Sequence, residues 1–265
     1  SQLMQARHSD RKRYFKEQAL TTSKYVIPYL QDLMEIGENT SVLEIGCGEA
    51  GNLEPFLDLG CKRVVGIDIS EGRIENGKLY HANHPNFKNL ELVAEDIYDT
   101  KTKEEFDIII SRDVIEHIPN QEKFMNRCRD FMKPNGLYFI GFPPWYNPFG
   151  GHQQLLKNKF FSKLPYFHIL PRFLYKWLLR IIGESEAKIK GMLEIYDTRI
   201  TIDRLNRILK INNYQILKKT DYLFNPNYET KFGIKPKKQL KFISSIPFIR
   251  NFFVTASYYV VRANK

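Results

Sequence analysis

The sequence predicts an α/β fold: a mostly parallel sheet, with helices ahead of it and a helical segment inserted into it. Three observations carry that expectation. From Ser41 to Phe142 short apolar runs alternate with helix-spaced stretches, the pattern of parallel strands joined by right-handed crossovers. A glycine-rich turn, Gly46 to Gly51, lies between the first run and the first helix after it. After Phe142 the rhythm stops, and it resumes only at Thr201.

The elements follow in order. Apolar residues at helical spacing from Tyr14 to Met34 predict one or two N-terminal helices, with Pro28 at a break or first turn. Val42–Ile45 is a strand, and a helix follows around Leu53 to Leu59. Arg63–Ile67 is the second strand, and Ser70 stands where an N-cap belongs, ahead of a helix from Glu71 to Ala82. Leu90–Ala94 is the third strand. Phe106–Ile110 is the fourth, apolar throughout as a strand buried on both faces must be. Asn120 caps a helix running to Met132. Pro134-Asn135-Gly136 makes a turn, and Leu137–Phe142 is the fifth strand. Pro143 to Ile195 is rich in aromatics and prolines and holds one amphipathic helix, Arg172 to Ile182; it reads as an inserted lid. A helix at Thr201–Ile211 and strands at Tyr214–Leu223 and Phe253–Arg262 complete seven strands, the last two pairing antiparallel because no crossover helix joins them. The expected division is 1–142 for the N-terminal helices and the core, 143–199 for the lid, and 200–265 for the rest of the sheet.

Composition narrows the class. The chain has 265 residues, 43% hydrophobic and 26% charged, in the range of a folded globular protein. No apolar run is long enough for a membrane span, and the polar start from Ser1 to Arg13 has no apolar stretch behind it, so neither a transmembrane helix nor a secretory leader is expected. Cys47, Cys61 and Cys128 are scattered, odd in number and without CxxC spacing, which speaks against disulfides or structural zinc and for the cytoplasm. The net charge of +10 is spread along the chain, with its densest patch, Lys231 to Lys241, read as loop.

The chemistry concentrates in Val42-Leu43-Glu44-Ile45-Gly46-Cys47-Gly48-Glu49-Ala50-Gly51. Glycines there permit a tight turn and close approach of a ligand to the backbone, and the helix that follows points free N–H groups at the same space. Asp68, 22 residues past Gly46, ends the second strand, where a carboxylate can accept both hydroxyls of a ribose. Glu95-Asp96-Ile97 follows the third strand. All three elements fall at the carboxyl edge of the sheet, where ligands of open α/β sheets bind. Gly46-x-Gly48-x-x-Gly51 also satisfies the dinucleotide fingerprint, so an NAD-binding domain is the rival. Glu44 ahead of the glycines and the acids after strand three favour a different nucleoside cofactor.

With these residues in place, the sequence resembles the class I S-adenosylmethionine-dependent methyltransferases of the type 11 or type 25 group, which have a Rossmann-like fold. The resemblance covers Ser41 to Phe142 and the terminal strands. It implies S-adenosylmethionine as cofactor and S-adenosylhomocysteine as product. It implies that the loop of Glu44, Gly46, Cys47, Gly48 and Gly51 wraps the methionine part, Asp68 holds the ribose with Ile69 beside the adenine, and Asp96 and Ile97 hold the adenine. Ser111 and Arg112 match the position that closes over the methionine end. The family's seven-stranded sheet with an antiparallel last strand agrees with the reading of the C-terminus.

Further motifs are weighed against this frame. Asp113, Glu116 and His117 form a D-x-x-E-H cluster that would share one helical face, and it resembles the E-x-x-E-H metal site of some quinone and small-RNA O-methyltransferases. The first acid here is the shorter Asp, so the expectation is no metal, with these three as candidates. Phe142-Pro143-Pro144-Trp145 resembles a motif of DNA-base amino methyltransferases, but it follows strand five rather than four and Phe142 offers no acceptor to an amine. Gly150-Gly151-His152-Gln153 opens the insertion near the reactive edge; His152 is the candidate general base and His117 a second candidate. Tyr146, His168 and Tyr196 are lesser candidates. Between 159 and 182 aromatic residues accompany Arg172, Lys176 and Arg180 at four-residue spacing, as in a lid over the active site or a helix lying on a membrane surface. The expected activity is methyl transfer to an oxygen of a small molecule: a glycan, a lipid-linked intermediate or a quinone. The alternatives are an RNA-modifying methyltransferase, motivated by the charge although no RNA-binding module is visible, and a cofactor-binding protein without catalysis.

Overall fold

The computed structural model describes residues 10–264; the first nine residues of the polar start lie outside it. The sheet has eight strands in the order β3-β2-β1-β4-β5-β8-β6-β7. They are β1 (Ser41–Ile45), β2 (Arg63–Asp68), β3 (Leu90–Ala94), β4 (Phe106–Arg112), β5 (Met132–Phe142), β6 (Tyr214–Phe224), β7 (Lys237–Lys238) and β8 (Ala256–Ala263). The first five pair in parallel, and β8 runs antiparallel between β5 and β6. The expected seven strands are joined by an eighth, the two-residue β7 pairing with the end of β6. It falls in the lysine-rich stretch read as loop, which also holds the start of a short helix at Lys241–Ser245.

Alternation along each buried strand fills two cores. On β1, Leu43 and Ile45 join Val65, Ile67, Phe124, Met125 and Leu205 on one face. Val42 joins Val64, Ile108, Ile110, Leu30, Leu53 and Phe56 on the other. A two-residue period sends neighbours to opposite layers, so a strand apolar throughout is what helices on both faces require.

The helices that position the site are α1 (Arg11–Thr21), α2 (Ile27–Gln31), α3 (Glu54–Asp58), α4 (Glu71–His81) and α5 (Gln121–Cys128). A π-helical stretch, Thr22–Val26, joins α1 to α2, and Pro28 sits in the first turn of α2, where its missing N–H costs no helical bond. Asn120 caps α5, its side chain accepting from the Lys123 N–H. Ser70 occupies the N-cap position of α4 without a side-chain cap bond; Asp68 instead accepts the Ser70 N–H. Pro134-Asn135-Gly136, expected as a turn before β5, is an irregular start of that strand, with Asn135 left-handed and the register to β4 shifting between Phe106 and Ile108.

The inserted segment holds two helices, α6 (Arg172–Ile181) and α7 (Glu186–Thr198), where the sequence suggested one. They enclose a separate apolar cluster of Trp145, Leu156, Phe167, Tyr175, Leu179, Ile189, Met192 and Tyr196. Beyond it come α8 (Ile202–Ile211), α9 (Asn227–Phe232), α10 (Lys241–Ser245) and α11 (Arg250–Phe253). The last of these delays β8 by three residues relative to the expected strand. No helix among the described residues is long and apolar enough to cross a membrane.

Candidate active site

The strand order reverses direction between β1 and β4, and a crevice opens beyond the carboxyl ends of the strands at such a point. The loop after β1 forms its floor. Gly46, Gly48 and Ala50 all have positive φ, a conformation costly for side-chain-bearing residues. A Cβ on Gly46 would stand 2.6 Å from Cγ2 of Val114, so the position needs glycine twice over. The Gly46 and Cys47 N–H groups donate to the carbonyl of Ile67 at 2.7 and 3.1 Å, tying the loop to the end of β2. Asp68 completes the tie: Oδ2 accepts the Gly48 N–H and Oδ1 the Ser70 N–H, each at 2.8 Å.

The crevice is a cleft of about 730 Å3. Gly46, Asp68, Ile69, Asp96 and Ile97 line it, drawn from the ends of β1, β2 and β3, and Asp113, Val114 and His117 line it from beyond β4. Ile69 is 80% exposed and Ile97 buried, so both present apolar surface along this part of the cleft. Asp96 shapes its own loop by accepting the Tyr98 N–H at 2.9 Å. Each oxygen of Asp68 accepts one backbone N–H, and a carboxylate oxygen has a second lone pair beyond that.

Six other residues expected around the cofactor stand off the cleft wall. Ser111 and Arg112 are consecutive on β4 and point to opposite layers. Ser111 meets the Tyr138 hydroxyl at 2.9 Å. Arg112 donates to Thr22 Oγ1 at 2.9 Å, to Asn52 Oδ1 at 2.8 Å and to Asn227. Glu44 belongs to the same buried network, accepting from Asn52 Nδ2 at 2.6 Å, and burial pushes its carboxyl up to about 8. Cys47 is buried, and its thiol is raised by desolvation. Gly48 is tied to the wall residue Asp68 by its N–H and has the Arg73 side chain for a neighbour. Gly51 admits the N-terminal helix: a Cβ there would lie 2.4 Å from the Phe15 carbonyl oxygen. Gly51 and the network of Glu44, Asn52, Thr22 and Arg112 thus brace the loop from behind.

Around His117, on the cleft wall, three side chains converge. Ile115–His117 is a single 3-10 turn, so the D-x-x-E-H spacing does not gather Asp113 with Glu116 and His117. The residue that joins them is His152. One ligand atom from each of Glu116, His117 and His152 lies within 4.8 Å of the others, and the two imidazole rings meet edge to face at 5.5 Å. Desolvation pushes the Glu116 carboxyl up, aided by the charge of Asp113, and holds the His117 imidazole below its usual range. The Glu116 carbonyl accepts the Thr198 hydroxyl at the end of α7, so the insertion braces this turn. His152 is set by packing: a Cβ on Gly150 would fall 2.0 Å from the Trp145 carbonyl oxygen, and one on Gly151 2.2 Å from Cβ of His168. His152 itself adopts the left-handed conformation.

The lesser candidates are structural. His168 is buried, donates from Nε2 to the Trp145 carbonyl at 2.6 Å and accepts from Gln153 at Nδ1. Desolvation lowers it to about 4. The Tyr196 hydroxyl donates to the Leu170 carbonyl, and Tyr146 packs against Phe252. Sequence reasoning passed over Arg73 and Tyr98, both on the cleft wall. Arg73 carried a signal, standing one turn after Ser70 on a helix that begins at the carboxyl edge.

Comparison with known proteins agrees with this geometry. Residues 36–216 match the family model described as a methyltransferase domain. A ubiquinone biosynthesis O-methyltransferase from Mesorhizobium japonicum is 36% identical over 104 residues, 39% of this chain and 41% of that protein. The chain thus spans about two fifths of the length of the curated relatives it matches. Among solved structures, the sarcosine dimethylglycine methyltransferase assignment from Galdieria sulphuraria superposes with a TM-score of 0.59 at 13% identity, covering 92% of this chain and 85% of that one. Magnesium protoporphyrin IX methyltransferase from Synechocystis, with bound S-adenosylhomocysteine, gives 0.55 at 12% identity, covering 92% and 82%. At such identities the likeness is one of fold.

Proposed function

The chain belongs to the methyltransferase-domain family, and from that premise we propose that it transfers a methyl group from S-adenosylmethionine to a hydroxyl of a small-molecule acceptor. The observation that carries the reading is the convergence of Gly46, Asp68, Asp96 and Asp113, from the ends of four strands, on one cleft. When bound, S-adenosylmethionine supplies a methyl group on a positively charged sulfur, which the acceptor oxygen takes with release of S-adenosylhomocysteine and one proton. Asp68 would hold the ribose hydroxyls, Ile69 and Ile97 would sandwich the adenine, Asp96 would meet its edge, and the Gly46 backbone would admit the methionine part.

The chain's contribution is positioning and exclusion of water. The insertion caps the β4 side of the cleft through the contact of Thr198 with Glu116. An acceptor entering there meets His117 and His152, and these two side chains handle the proton its hydroxyl loses. Methyl transfer from labelled S-adenosylmethionine to a panel of glycans, polyprenyl-linked sugars and quinols tests this. His152→Ala is expected to lower turnover by about 10²–10⁴ with affinity for S-adenosylhomocysteine unchanged. Unchanged turnover in both His117→Ala and His152→Ala would remove the histidines from the reaction.

The O-methyltransferase relative acts in ubiquinone biosynthesis, and the surface of this chain supports an acceptor delivered from a lipid bilayer. On α6, Phe173, Trp177 and Ile181 form an exposed stripe at four-residue spacing. Leu240, Phe242, Phe248, Ile249 and Phe253 are exposed too, in a stretch that adjoins the insertion through the Tyr166 hydroxyl on the Phe252 carbonyl and Tyr146 against Phe248. From Thr230 to Lys265 the sequence has eight Lys and Arg and no Asp or Glu. Cations beside exposed aromatics suit an anionic membrane surface. The three buried free cysteines suit a reducing compartment such as the cytoplasm.

A further inference from the structure

The insertion has a groove of its own. It is a cavity of about 610 Å3 between α6 and α7, with Arg172 and Lys176 on one wall and Lys190, Glu194 and Asp197 on the other. Its charges are unequally matched. Asp197 accepts two bonds from Arg172, at 2.8 and 2.9 Å. Glu186, also at the groove, is held by Arg180, and the charge of Lys176 adds to that pair. That leaves two ammonium groups, Lys176 and Lys190, one on each wall, which form no hydrogen bond or salt bridge among the described residues. Glu194 is the one remaining carboxylate of this wall.

The two ends of the groove differ. On α6 the row of Arg172, Lys176 and Arg180 lies about 100° around the helix axis from the row of Phe173, Trp177 and Ile181, so the groove cation Lys176 borders the exposed apolar stripe. At the other end α7 runs into the reactive turn. Its last residue, Thr198, donates to the Glu116 carbonyl. Desolvation holds the His117 imidazole below its usual range, and the charge of Glu194, in the groove wall, opposes that. Eight residues of helix, about 12 Å, separate Lys190 from Thr198. One groove thus leads from an apolar surface, past two unmatched cations, toward the residues that face the methyl donor.

We propose that the groove between α6 and α7 binds the phosphate or diphosphate of a prenyl-linked glycosyl acceptor, held between Lys176 and Lys190. The inference rests on the reading of the cleft as the methyl-donor site and names the acceptor class for it. Ammonium groups bind phosphate oxygens as point charges through charge-assisted hydrogen bonds. The prenyl chain would lie on Phe173 and Trp177, beside Lys176. The glycosyl part would extend along α7 toward His117, with Glu194 placed to accept bonds from sugar hydroxyls. The distance from Lys190 to the turn requires the methylated hydroxyl to stand well out from the phosphate, as on a glycosyl headgroup. A quinol has no anion, and binding it would leave both ammonium groups unused.

The test is calorimetric titration of the full chain with farnesyl diphosphate and separately with farnesol, alongside titration with S-adenosylhomocysteine. The expected result is one saturable site for farnesyl diphosphate, with farnesol about tenfold weaker or more. Lys176→Ala and Lys190→Ala are each expected to weaken farnesyl diphosphate by about tenfold, the loss of one charge-assisted bond, and to leave S-adenosylhomocysteine affinity unchanged, which also reports that they are folded. Lys210→Ala, which removes an exposed cation of α8, is expected to change neither. No saturable binding of farnesyl diphosphate, equal binding of farnesol, or equal weakening by Lys210→Ala overturns the phosphate site and leaves the methyl-donor reading standing. Loss of retention on phosphatidylglycerol vesicles in the Lys176 and Lys190 variants, with farnesyl diphosphate affinity intact, assigns these lysines to lipid headgroups and likewise overturns it. Farnesyl diphosphate binding in a chain that does not bind S-adenosylhomocysteine keeps the phosphate site and removes the methyl-donor reading.

Discussion

Glu44 and Arg112 illustrate how a single side chain's direction decides its role. Both were expected at the cofactor, and both lie behind the loop, joined through Asn52. That Gly46, Asp68 and Asp96 share one cleft was legible because it depends on their place at strand ends, which element boundaries reveal. The direction of Arg112 was not, since it depends on the phase of β4, where one step reverses the face. Glu44 also carries a consequence for pH. Burial raises its carboxyl in the folded chain to about 8, whereas an unfolded Glu titrates near about 4.3. Between these values the folded chain holds a proton that the unfolded chain lacks, so stability falls as pH rises through that window. Glu44→Gln removes this proton, and the melting temperature of the variant is expected to fall less than that of wild type between pH 5 and pH 8. Parallel curves for the two proteins would mean that Glu44 is not held protonated.

At the scale of elements, the core strands were legible because burial on both faces writes itself as unbroken apolar runs. The insertion was less so. Its helix α7 is capped by Ser185 and buries Ile189, Met192, Leu193 and Tyr196, yet only α6 was anticipated, because short aromatic-rich runs on either side masked the helical period. The two helices also explain the cations of α6: Arg172 pairs with Asp197 and Arg180 with Glu186. Those ion pairs join the helices, and exposed pairs of this kind contribute little to stability. If the proposed membrane contact holds, the outward stripe of Phe173, Trp177 and Ile181 is the part of this element that makes it. Co-sedimentation with vesicles of phosphatidylglycerol and phosphatidylcholine is expected to retain the wild type and to release the triple variant Phe173→Ser, Trp177→Ser, Ile181→Ser. Equal retention of both would assign the interaction to charge alone, and no retention of the wild type would remove the membrane from the account.

At the scale of the whole molecule, the sheet order places its switch point between β1 and β4, and that alone determines which loops meet. Residues as distant in sequence as Gly46, Asp96 and His117 share one cleft because parallel strands deliver their carboxyl ends to one edge. Sequence alternation was enough to predict that edge. It could not show that His152, on a loop of the insertion, would complete the cluster of Glu116 and His117, because that meeting depends on how the insertion docks on the turn after β4. It likewise could not show the short pairing of β7 with β6, where two lysines lack any strand pattern.

The most direct measurement is calorimetric titration of the purified chain with S-adenosylhomocysteine, then with NADH, with Asp68→Ala beside the wild type. The account predicts one saturable site for S-adenosylhomocysteine, no binding of NADH, and at least tenfold weaker binding in the variant, about 1.4 kcal/mol. No binding of S-adenosylhomocysteine by folded wild type, or tight binding of NADH in its place, would contradict it.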